Sequence, residues 1–266
     1  MNPVIPGILA AALYAASAWL QIRAYLDRNL NPPALIRYLS IPAIALHAGS
    51  VYMIMVTPQG INLGIFVVLS LTGLIMALVV FLASLRLPLN NLSMLAFPIA
   101  ILGIAASLLL SSDYKPSSQI SAGLLSHILS SIFAYTILLM AAGQAVVLSA
   151  LENFLNRKAS IGLLRLLPPL ETMEQSLFAL LRAGVALLTV SLASGMVFLE
   201  NMFAQHVVHH TILSIASWLV FVGLLAGRHM LGWRGRVAVR WTLSGFTLLL
   251  LAYFGSKFVL EVVIGN

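Results

Sequence analysis

The chain has 266 residues, of which 61% are hydrophobic and only 8% charged, and its mean hydropathy is +1.04. A soluble domain carries roughly 25% charged residues, so the composition excludes a soluble globular surface and predicts an all-α, polytopic transmembrane bundle. The 14 Lys and Arg against 7 Asp and Glu read as anchoring at the cytoplasmic face of a bilayer, not as a nucleic-acid interface. With no cysteine, disulfide exchange, thiolate metal ligation and covalent haem attachment through a Cys-x-x-Cys-His site are excluded. Any redox ligand has to be histidine or methionine.

Apolar runs predict about eight spans, at 5–23, 38–56, 63–85, 91–111, 121–150, 174–199, 211–228 and 241–263, in a single integral membrane domain over 1–266. Runs of about 20 residues cross a hydrocarbon core of about 30 Å. The first run has no basic segment before it, and Arg23 and Arg28 follow it, so it reads as a span and not as a signal peptide. The fifth run is longer and emerges near Glu152. Pro42 and Pro98 fall inside spans two and four, where they predict kinks. Segment 157–173, basic and leucine-rich, is predicted to lie along the inner interface.

The basic residues set the orientation. Arg23, Arg28, Arg37, Arg86, Arg157, Lys158, Arg165, Arg228, Arg234, Arg236 and Arg240 all fall on one alternating set of loops. By the positive-inside rule that set is cytoplasmic, which places both termini on the outer, periplasmic side of a bacterial inner membrane. Of the six histidines, only His229 then lies on the inner side.

Two histidines stand within spans. His47, in PAIALHAGSVY, is an ionisable group near mid-membrane among small neighbours. Such groups are costly in lipid and face the bundle interior, so a ligand or a relay is the first expectation; a hydrogen bond to a neighbouring helix is the alternative. His127 lies about six residues into span five, roughly 9 Å from the outer face. It continues at helical spacing into Ser131 and Tyr135, with Ser130 adjoining, as one polar stripe. An imidazole at the outer end of that stripe suits an axial haem or metal ligand; the alternative is an interhelical hydrogen-bonding seam.

The outer loop Ala204–Leu213, AQHVVHHTIL, adds His206, His209 and His210. The pairs 206–209 and 206–210 are at clamp spacing for a metal, but no carboxylate within the loop completes a zinc-type set. No metal beyond a haem iron is expected. Arg182 is expected to snorkel, and Lys257 to pair with Glu261. P-loop, Rossmann, His-Glu-x-x-His and Gly-x-Ser-x-Gly motifs are missing, so a self-contained enzyme is not expected.

The stretch 227–263 contains Gly232-Trp233-Arg234-Gly235 and, further on, Tyr253-Phe254-Gly255. It resembles the C-terminal part of the cytochrome c assembly membrane proteins, a CcsA/CcmC/ResC-like haem-handling family, and is most similar to the YpjD-type inner-membrane branch. The resemblance implies a non-covalently bound haem b on the outer side, with His127 standing where a family histidine ligates haem. His47 on a haem path and one of His206, His209 or His210 as the second ligand complete the expected cofactor-binding set. It also implies partners: haem, the lipid bilayer and other membrane proteins of a biogenesis complex. Two departures are visible. The family's tryptophan-rich acidic outer loop is replaced here by SGMVFLENMFAQHVVHHTILSIASW, and the region after the last span, VVIGN, lacks the family's second histidine. The leading expectation is a haem carrier or chaperone. The alternatives are a membrane scaffold or accessory subunit that kept the fold without the haem site, and a transporter using histidines as proton relays.

Overall fold

The computed structural model describes residues 2–26, 33–85, 92–110, 121–156, 169–198 and 208–252. Among these described residues eight helices follow one another: α1 Val4–Leu26, α2 Pro33–Met55, α3 Ile65–Ser84, α4 Ser93–Leu109, α5 Ala122–Asn156, α6 Leu170–Phe198, α7 Val208–Leu231 and α8 Gly235–Leu250. Among the described residues α1, α2, α3, α5, α6 and α7 are long and apolar enough to cross a membrane. The α4 helix is shorter, at 17 residues, and α8 has 16. The expected inner-interface segment lies largely in 157–168, outside the described residues, as do Lys257, Glu261 and Tyr253-Phe254-Gly255.

Helix boundaries follow local chemistry. The Asn2 Oδ1 atom accepts the Val4 N–H at 2.9 Å and so satisfies one orphan donor where α1 starts. Both α2 and α4 run on through Pro42 and Pro98, each of which removes one main-chain donor without ending its helix. Between α2 and α3 the chain forms a small hairpin in which β1, Val56–Thr57, pairs antiparallel with β2, Gly60–Ile61. Gly60 has φ 126°, a backbone state that side chains disfavour. The α8 helix begins six residues before the apolar run expected at 241. Its first two turns, Gly235–Arg240, are basic and partly exposed, which hydropathy alone does not score as a span.

The helices group into two compact units, residues 1–120 and 121–266. In the first, α3 and α4 touch backbone to backbone. A Cβ built on Gly73 would stand 2.6 Å from Ala100 Cα, and one on Gly103 would stand 2.8 Å from Ser70 Cα. Lipid tails are as apolar as leucine, so helices in a membrane gain little from apolar contact alone, and small residues that permit close approach matter more. Ala10, Tyr14, Ala43, Ala77, Phe97, Ala100 and Ile104 fill the core between α1, α2, α3 and α4. Ser93 Oγ also donates to Gln21 Oε1, joining α4 to α1.

In the second unit α5 and α6 form a long pair, with the Leu138 side chain lying on Gly184. Phe221 of α7 packs on Gly245 of α8, and Ser217 Oγ donates to the Gly245 carbonyl at 2.8 Å. The α7–α8 corner, Gly232-Trp233-Arg234-Gly235, turns on two glycines with φ 67° and 53°. The Trp233 ring lies over Gly227 and within 4.8 Å of the Trp241 ring. Glu174 of α6 draws this corner in: its Oε1 meets Arg228 at 2.8 Å and Arg234 Nε at 3.0 Å. Arg228 also lies 4.6 Å over the Phe178 ring and donates to the Trp233 carbonyl at 3.2 Å.

Two changes test this packing. Gly103→Leu forces α3 and α4 apart and lowers the thermal unfolding temperature in detergent by several degrees. Glu174→Ala leaves two arginines without their shared carboxylate. A fully buried pair of this kind costs about 3–5 kcal/mol to break; because Arg234 is 57% exposed, about 2 kcal/mol is expected. Denaturant unfolding followed by circular dichroism reads that loss.

Candidate functional site

His127 sits in the second turn of α5, facing α6, and is partly buried. Its Nδ1 lies 2.9 Å from the Ser191 carbonyl oxygen and 3.2 Å from Ser194 Oγ. A carbonyl oxygen can only accept, so Nδ1 carries the proton and donates it, and the neutral ring keeps its lone pair on Nε2. Ser194 Oγ donates to the same Ser191 carbonyl at 2.9 Å. Ser131 Oγ donates to the His127 carbonyl at 2.7 Å and stands 2.6 Å from Ser191 Oγ, which therefore supplies the proton between the two hydroxyls. Ser130 Oγ donates to the His127 carbonyl as well, at 2.9 Å. The stripe expected on α5 is therefore real, and it faces a matching serine pair, Ser191 and Ser194, one turn apart on α6. Tyr135, the last member of the stripe, meets the Phe246 ring of α8 at 5.6 Å between centroids.

The histidines of segment 204–213 separate. His210, in the first turn of α7, comes near enough to His127 for the two imidazoles to interact electrostatically. His209, its neighbour in sequence, is exposed. His206 lies outside the described residues. Elsewhere between α6 and α7, Thr189, Leu192, Ala193, Met196, Ile215 and Trp218 line an open apolar groove of about 260 Å³. The Trp218 Nε1–H donates to Thr189 Oγ1 at 2.8 Å, so the indole is held with its polar edge satisfied.

His47 is placed differently. It is fully buried in the first unit. Its Nε2 meets Ser70 Oγ at 3.1 Å and its Nδ1 meets the Tyr14 hydroxyl at 3.4 Å, with the two rings edge-on. Tyr14 in turn stacks on Phe97 at 5.4 Å. Both ring nitrogens are thus turned to protein partners on α1 and α3. The arrangement matches the interhelical hydrogen bond that the sequence offered as the alternative. Sequence reasoning missed Tyr14, Ser70, Ser191 and Ser194; the last two were visible as an i, i+3 serine pair in an apolar run, but nothing in the chain said which helix they face.

Among the described residues no group of three or more His, Asp or Glu could hold a metal ion. A pair of imidazoles is too few for a metal cage. It is the right number for a haem iron, whose other four ligands come from the porphyrin.

The apolar helices and the polar seams buried between them define a multi-pass helical membrane protein. The chain belongs to the cytochrome C assembly protein family, which it matches over residues 9–264. It is 29% identical to the inner membrane protein YpjD of Escherichia coli K12 over 262 residues, covering 96% of this chain and 98% of the relative. YpjD of Escherichia coli O157:H7 gives the same values. A 28.8 kDa protein in the nifR3-like 5′ region of Azospirillum brasilense is 40% identical over 141 residues, 52% of each chain. No solved structure matches. With six membrane-length helices and these relatives, the chain is an inner-membrane protein.

The His47 knot gives a direct test. His47→Leu leaves the Ser70 and Tyr14 hydroxyls without their shared partner and costs about 1–3 kcal/mol of stability. A double-mutant cycle with Ser70→Ala should show a coupling of about 0.5 kcal/mol or more in unfolding experiments.

Proposed function

We propose that this protein binds a b-type haem non-covalently on the outer side of the inner membrane, as a carrier or chaperone in c-type cytochrome biogenesis. The observation that carries this reading is the His127 Nδ1–H bond to the Ser191 carbonyl, which fixes the tautomer and leaves Nε2 as a ligand atom. His127 would hold the haem iron through Nε2. His210 takes the place of the histidine that the family carries after its last span. Haem, when bound, would supply the iron for these imidazoles to hold. The chain would orient it: Ser191 and Ser194 aim the His127 ring, and the apolar residues Trp218, Met196 and Leu192 on α6 and α7 would contribute greasy surface. His209 and His206 stand near enough in sequence to substitute for His210. His47, tied at both nitrogens, would serve on a haem path only after leaving Ser70 or Tyr14.

Eight spans with both termini outside complete the proposal. The α4 helix and the apolar run 241–263 of the sequence would provide the remaining two crossings, and the eleven basic residues on alternate loops support a cytoplasmic placement of that face. That orientation puts His127 and His210 at the outer end of the bundle, where haem would be handed to an exported apocytochrome. Nothing in the chain forms a thioether bond, so the role is delivery and not catalysis.

Haem absorption decides the matter. Wild-type protein purified in mild detergent and supplied with haem should show a Soret band with a low-spin, six-coordinate spectrum. His127→Ala should remove at least nine-tenths of it, and His210→Ala should leave a weaker, five-coordinate, high-spin species. A wild-type preparation that stays colourless after haem addition sinks the proposal. If cytochrome maturation survives both substitutions but fails when Trp233 or Arg234 is changed, the protein is instead a scaffold acting through its α7–α8 corner.

A further inference from the structure

A second cavity, of about 220 Å³, lies in the first unit, where the start of α2 meets the end of α3. Arg37, Tyr38, Ile41, Phe81 and Leu85 line it. Its floor is aliphatic and aromatic, and its one charged wall is Arg37. One Arg37 N–H donates to the Ser84 carbonyl at 3.2 Å, which fastens the guanidinium across the last turn of α3. The negative end of the α3 dipole favours a cation there. A guanidinium has five N–H donors in a planar fork that suits phosphate, and this bond uses one of them. Among the described residues the acidic ends of all three ion pairs are Glu174 and Glu152, so no carboxylate there neutralises Arg37.

Position narrows the ligand. The apolar part of α2 begins at Leu35 and that of α3 ends at Ser84, so the groove opens at headgroup height. Tyr38 and Ile41 are more than half exposed, and Leu85 is too, so the groove is open along its side. A ligand at that depth needs a phosphate for the rim and an acyl chain for the floor. Neither a free phosphate nor a neutral hydrocarbon satisfies both walls. We propose that the Arg37–Phe81 groove binds one anionic glycerophospholipid of the surrounding membrane. The phosphodiester sits on the Arg37 guanidinium, with the Tyr38 hydroxyl near, and the upper methylenes of one chain lie between Ile41, Phe81 and Leu85. The proposal is independent of haem.

Native mass spectrometry of the full-length protein, titrated separately with dioleoyl phosphatidylglycerol, dioleoyl phosphatidylcholine and inorganic phosphate, tests it. The expected result is a single tightly held phosphatidylglycerol, retained about five- to tenfold better than phosphatidylcholine, with no competition from millimolar phosphate. Arg37→Gln should abolish the preference. Because that change also removes the bond to Ser84, Ile41→Trp provides an independent check: it fills the floor, leaves the charge, and should eject the lipid. Arg23→Gln, which alters another basic residue on α1, should have no effect. Equal retention of phosphatidylcholine, competition by phosphate, or an equal loss in Arg23→Gln would each overturn the assignment, the last by showing a diffuse charge effect.

Discussion

Close approach of helix backbones is the constraint on which this architecture rests. In a bilayer, apolar side chains gain no more from one another than from lipid, so packing depends on contact that small residues permit and on polar groups that must find partners. Gly73 and Gly103 bring α3 and α4 together at the level of the main chain. Gly184 and Gly245 admit Leu138 and Phe221 in the second unit. Where helices come this near, hydroxyls and imidazoles between them are held in one geometry. The serines on α5 and α6 can align His127 only because those helices already lie side by side.

His47 and His127 show how differently one residue type can be used on apolar helices. Each sits near serines, and each bonds across to a neighbouring helix. His47 has a hydroxyl at both nitrogens, so its bonding capacity is turned inward and it ties α1, α2 and α3. His127 spends one nitrogen on a main-chain carbonyl and keeps the other. A main-chain acceptor is a more decisive partner than a hydroxyl, which can donate or accept. The carbonyl fixes where the proton is, and therefore where the lone pair is. The difference between the two histidines is a nitrogen left over after packing.

Much of the fold was legible because the apolar runs are long and unbroken. The expected limits for α1, α3, α4 and α7 fall within three residues of the observed ones. The start of α8 was misplaced because GRVAVR is helical but charged, and charge ends an apolar run without ending a helix. The Val56–Ile61 hairpin could not be read at all, since two-residue strands have no periodicity to detect. For the site, the α5 stripe from His127 to Tyr135 was legible from i, i+4 spacing. Its serine partners were not, because pairing across helices depends on which faces meet. The choice between His209 and His210 was likewise invisible: adjacent residues on a helix point about 100° apart, and only the packing of α7 decides which one is covered and which exposed. Family membership was readable from the Gly-Trp-Arg-Gly corner, a stretch whose two glycines need left-handed backbone and whose tryptophan covers Gly227.

That corner has an optical consequence. Of the four tryptophans, Trp19 alone belongs to the first unit, while Trp218, Trp233 and Trp241 belong to the second. Intrinsic fluorescence is therefore weighted towards the half that carries His127. Trp218 lines the open groove between α6 and α7, so an absorbing ligand there would quench its emission by energy transfer. Trp233 and Trp241, 4.8 Å apart and inclined by 43°, are close enough for their excited states to couple. Their joint circular dichroism makes the α7–α8 corner its own spectroscopic label, present only while the turn is folded.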